Sequence, residues 1–120
     1  MSNEPPPPVP SRLVLIAFET YPIYFDEPPE FGHAMKGRDH WMKALFDAHP
    51  GCWIKLDQGA FVIRLPDAYA LLHALVQGAR QHSKTLIHTE FTGSIQGAFP
   101  QRTLQALQAF GVPSQGLTWS

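Results

Sequence analysis

Two stretches decide the fold: Leu13-Val14-Leu15-Ile16-Ala17-Phe18 (LVLIAF) and Ala60-Phe61-Val62-Ile63-Arg64-Leu65 (AFVIRL). In a strand successive side chains point to opposite faces, so a run apolar at every position, as 13–18 is, or at nearly every position, as 60–65 is, predicts a strand covered on both sides. Both stretches are therefore expected to be inner strands of one sheet.

The segments around them read differently. Cys52 to Asp57 alternates, with Cys52, Ile54 and Leu56 opposite Trp53, Lys55 and Asp57. Lys84 to Thr92 alternates too, with Ile87, Thr89 and Phe91 opposite Leu86, His88 and Glu90. Alternation predicts edge strands with one face toward water. Asp57, Gln58 and Gly59 supply the turn that makes 52 to 65 a hairpin.

Helices are expected from about Ala34 to Ala48, ended by Pro50 and Gly51, and over the run that carries Ala68, Leu71, Leu72, Leu75, Val76 and Ala79 at three-four spacing. Asp67 is expected to cap the second of these, and Leu72 and Leu75 to be among its costliest positions. A short third helix is expected from about Pro100 to Phe110, with Leu104, Leu107 and Phe110 on one side and Gly111 and Pro113 stopping it. Gly93 and Gly97 read as turn or bulge residues.

Strand, helix, strand, strand, helix, strand, with inner strands first and third, predicts an α+β, ferredoxin-like βαββαβ antiparallel sheet with an extra C-terminal helix. Residues 1–11, with five prolines among them, read as a flexible tail, leaving 12–120 as a single domain. Both helices of such a fold cover one face, yet the first strand is apolar on both. The far face must be covered by the extra helix, by the aromatics of the 20–32 loop or by a second copy of the chain, and a homodimer is the expectation.

With 44% hydrophobic and 16% charged residues, global disorder is excluded. A formal net charge of −1 offers no field for a phosphate backbone, so nucleic acid is not an expected partner. The aromatic-rich third strand of an RNA-recognition motif is absent: Asp57-Gln58-Gly59-Ala60-Phe61 keeps one aromatic and lacks the basic start. No apolar run is long enough for a membrane span, and the single cysteine, Cys52, reads as a buried hydrophobe in a reducing, cytoplasmic setting.

Candidate chemistry is sparse. The six histidines lack zinc-site spacing, the serines lack nucleophile-elbow glycines, and no phosphate-binding loop is complete. His88 and Glu90 share a strand face and would meet Glu19 if it ends the first strand beside them, a set suited to a divalent metal or to acid and base work. Tyr21, Tyr24, Phe25 and Phe31 sit in a proline-rich loop under which a small molecule would find an apolar site.

Trp53, Leu56, Asp57, Phe61, Val62, Ile63 and Arg64, followed by the helix after Asp67 and LIHTEFTG at 86–93, resemble a group of small ferredoxin-like proteins. The group includes the dimeric CRISPR adaptation subunit and related phage and bacterial proteins. The resemblance covers about half the chain and implies a dimer. It also implies a carboxylate near Glu19, in the place where some members carry a metal-dependent nuclease Asp. The resulting expectation is a non-enzymatic dimerising or partner-binding module, an accessory or counter-defence protein of phage or mobile-element type. The alternatives are a metal-dependent nuclease using Glu19, His88 and Glu90, and a small-molecule sensor.

Overall fold

The structure, a computed structural model, describes residues 11–18, 40–57 and 59–120. Among them are nine elements: β1 (Arg12–Phe18), α1 (His40–Asp47), β2 (Trp53–Asp57), β3 (Ala60–Leu65), α2 (Tyr69–Gln81), β4 (Leu86–Phe91), β5 (Ile95–Pro100), α3 (Gln101–Phe110) and β6 (Ser114–Trp119). The chain is thus a mixed α+β protein. The proline-rich tail before Ser11, the expected first turns of α1 and the aromatic loop lie outside the described residues.

The first four strands form one sheet in the order β2-β3-β1-β4, and every neighbouring pair is antiparallel. The two largely apolar stretches are its inner strands, paired from Arg12↔Leu65 to Ala17↔Ala60, and the two alternating ones are its edges. A register shift between Lys55 and Asp57 puts a bulge into β2 just before the hairpin turn.

Both faces of this sheet carry a core. On one, Val14, Ile16, Phe18, Phe61, Ile63 and Leu65 meet Met42 and Phe46 of α1 and Leu71 and Leu75 of α2. Phe46 and Phe61 stack with ring centres 4.0 Å apart, and Trp53 closes the cluster while its indole N–H donates to the Phe46 carbonyl at 2.8 Å. On the other face, Val62 packs with Leu107 and Val112, flanked by Leu13, Leu15, Ile54, Leu56, Phe91 and Phe110. Over this second face Arg64 lies 4.1 Å from the centre of the Phe110 ring, a cation against an aromatic face. The chain therefore covers its own far face with α3 and the residues after it, and the reason given by the sequence for a second copy no longer holds.

Three further expectations change. Asp67 does not cap α2: the N-cap is Ala68, without a side-chain bond, because the Ala68 and Tyr69 amides already donate to the Arg64 and Pro66 carbonyls. Val76, at 39% exposure, stands outside the core that its spacing assigned it to. Finally, α3 is no lone addition. It connects β5 to β6 in a β-α-β unit whose two strands form a separate, parallel sheet running from Ile95↔Ser114 to Pro100↔Trp119. Of the two glycines read as turn or bulge residues, Gly93 sits at a bend with φ 89°, whereas Gly97 lies within strand β5, opposite Gly116. At the far end of α3, Gly111 takes a left-handed φ of 90° and the Gly111 and Val112 amides close onto the Gln108 and Leu107 carbonyls. This sharp stop aims the chain back alongside β5.

Candidate functional site

His88 and Glu90 sit on edge strand β4, opposite Ile16 and Val14 of β1. Both are exposed, and Glu90 accepts from Arg12 at 3.4 Å, across the β1 and β4 pair. Arg12 also reaches the Tyr69 hydroxyl. Glu90 is thus engaged by a cation, although an ion pair this exposed contributes little to stability. Glu19 lies outside the described residues, as do Tyr21, Tyr24, Phe25 and Phe31. Among the described residues no three His, Cys, Asp or Glu side chains gather closely enough to hold a metal ion. Cys52 is buried, its Sγ donating to the His49 carbonyl at 3.3 Å, and burial pushes its thiol pKa up.

A cleft of about 720 Å³ runs between the end of β2, the first turns of α3 and the strands of the β-α-β unit. Lys55, Asp57, Phe99, Arg102, Thr103 and Trp119 contribute to its wall, which combines charged side chains with aromatic surface.

Sequence reasoning did not identify the feature that departs furthest from an ordinary surface. In the two-stranded sheet β6 pairs, among the described residues, with β5 alone, which leaves its other edge without a described partner strand. Five of the six residues of β6 are exposed, among them Leu117 at 78% and Trp119 at 53%. Neither IQGAFP nor SQGLTW contains a charged residue, and none occurs anywhere in residues 103–120. Solvated edges ordinarily carry lysine, other charges or proline to prevent pairing with another chain, and β6 carries none of them.

The strand also depends on glycine. Gly116 has φ 151°, and a Cβ there would run into the Gly97 carbonyl oxygen, so the two backbones meet where no side chain fits. Gln-Gly at 96–97 and 115–116 pairs in register, but the same dipeptide also stands at 58–59 and 77–78, so its recurrence does not single out these two strands. Comparison with known proteins gives no match to this chain among protein-family models, curated proteins or solved structures.

Proposed function

We propose that the chain is a non-enzymatic partner-binding module: a ferredoxin-like βαββαβ sheet that presents the β5, α3 and β6 unit as its docking element. The strand order β2-β3-β1-β4, with α1 and α2 packed on one face, supports the ferredoxin-like reading. The binding reading rests on one observation, the uncharged edge of β6, unpaired among the described residues, with Leu117 and Trp119 exposed on it. Parallel strands are normally covered on both faces, and two strands alone are seldom stable in water. A partner that adds a strand at this edge would give the backbone N–H and C=O groups their hydrogen bonds and shelter the apolar side chains. Such a module suits an accessory or counter-defence role in a phage or mobile element.

The test is gel filtration of extracts from cells that make the full chain. Wild type is expected to elute well above one-chain mass, and Leu117→Glu at one-chain mass with its thermal unfolding unchanged. Wild type eluting as a single chain, or a Leu117→Glu variant that keeps the larger size, would remove the docking reading.

A further inference from the structure

The structure assigns the partner at this edge: a second copy of the same chain, with the two β6 strands antiparallel across a two-fold axis so that β5, β6, β6 and β5 make one continuous four-stranded sheet. This inference rests on the docking reading above and names its occupant.

Antiparallel self-pairing sets the residues near the two-fold axis against themselves or against near neighbours in sequence. A charged strand resists this, because like charges then stand opposite each other. In β6 the obstacle is missing: Ser114, Gln115, Gly116, Leu117, Thr118 and Trp119 carry no charge, so the edge is complementary to itself. Side-chain alternation places Gln115, Leu117 and Trp119 on one face, with Ala98 opposite Leu117 and Pro100 opposite Trp119 on β5. A two-fold perpendicular to the sheet brings the same face of both copies together and makes one apolar strip from two Leu117 and two Trp119 side chains. Closed two-fold pairing of this kind uses up the β6 edge and stops at two chains.

The other free edge with an exposed large apolar residue is β4, where Ile87 is 63% exposed. That strand also carries His88 and Glu90, and Glu90 is paired with Arg12 of its own chain. A charged pair at the rim of this kind is the ordinary way an edge is kept single. The two edges therefore make different predictions for two lysine substitutions at comparably exposed positions.

Light scattering on the purified full chain over a concentration series is expected to give two-chain mass for wild type. Leu117→Lys is expected to give one-chain mass, and Ile87→Lys two-chain mass. Hydrogen exchange is expected to show β6 amides protected in wild type and Ile87→Lys, and exchanging freely in Leu117→Lys while β1 and β3 stay protected. That internal control separates a broken interface from a failure to fold. Two-chain mass that survives Leu117→Lys and is lost in Ile87→Lys would overturn the assignment in favour of β4. Purified wild type of one-chain mass, with a larger species in extracts that Leu117→Glu abolishes, would overturn the second copy as occupant and leave the docking reading standing. One-chain mass in both settings would end both.

Discussion

Cys52 lies in the core beside α1 and α2, with its thiol directed at the His49 carbonyl. Removal from water raises its pKa above 9.0, its own backbone hydrogen bond opposes this, and the negative charge of Asp67 adds to the rise. The sign of the linkage follows. Below pH 9.0 the thiol keeps its proton both folded and unfolded, and its contribution to stability is complete. Above that value the unfolded chain loses the proton while the native one retains it, so stability falls as pH rises toward the native pKa. Native protein at pH 8 is therefore expected to react slowly with an aromatic disulfide reagent and rapidly once unfolded in urea. The thermal midpoint of wild type should also fall more steeply above pH 9 than that of Cys52→Ala. Equal thiol reaction rates for native and unfolded chains would contradict the burial argument. A cysteine this protected is a packing residue, which agrees with what its isolation in the sequence suggested.

Among elements, α2 shows what periodicity can and cannot supply. The three-four spacing of Leu71, Leu72, Leu75, Val76 and Ala79 gives the direction of the helix's apolar side. Depth is decided by the neighbours. Leu71, Leu75, Gly78 and Ala79 are buried, Leu72 is half-buried and Val76 is exposed. Leu71→Ala and Leu75→Ala are each expected to cost about 2–5 kcal/mol in urea unfolding, Leu72→Ala less, and Val76→Ala under about 1 kcal/mol. If Val76→Ala costs as much as Leu75→Ala, the helix is rotated from its described position. The same contrast explains which parts of the fold were legible. β1 and β3 were clear because runs with apolar residues at nearly every position need cover on both faces, and β2 and β4 because alternation marks an edge. β5 and β6 were not, because Gly97, Pro100, Gly116 and three glutamine or serine positions oppose every strand preference. Their close approach at Gly116, where a Cβ would meet the Gly97 backbone, is a tertiary fact that the sequence does not announce. Of the expected site, His88 and Glu90 could be located on their strand face, but Arg12 as the partner of Glu90 depended on the β1 and β4 register, which composition does not reveal.

For the whole molecule, the β5, α3 and β6 unit has two duties that an experiment can separate. Its outer edge, which pairs with no strand among the described residues, is the proposed docking edge. Its inner side is structural: Leu107 and Val112 are fully buried against Val62, with Leu13, Leu15, Ile54, Leu56, Phe91 and Phe110 around them. Burying one large aliphatic side chain contributes about 1.5–3 kcal/mol, so this second core is worth several such terms against the small net stability of an ordinary domain. A chain ending at Thr92 would leave the far-face residues Leu13, Leu15, Ile54, Leu56, Val62 and Phe91 in water. Residues 1–92 are therefore expected to bind a hydrophobic dye, to aggregate at concentrations where the full chain does not, and to unfold without a sharp transition. Leu117→Lys, which alters only the exposed edge, should do none of these things. Residues 1–92 that stayed monomeric and dye-silent, with a cooperative transition at the wild-type midpoint, would mean the sheet stands with one face bare. The unit after Thr92 would then be an appendage whose only role is the partner's.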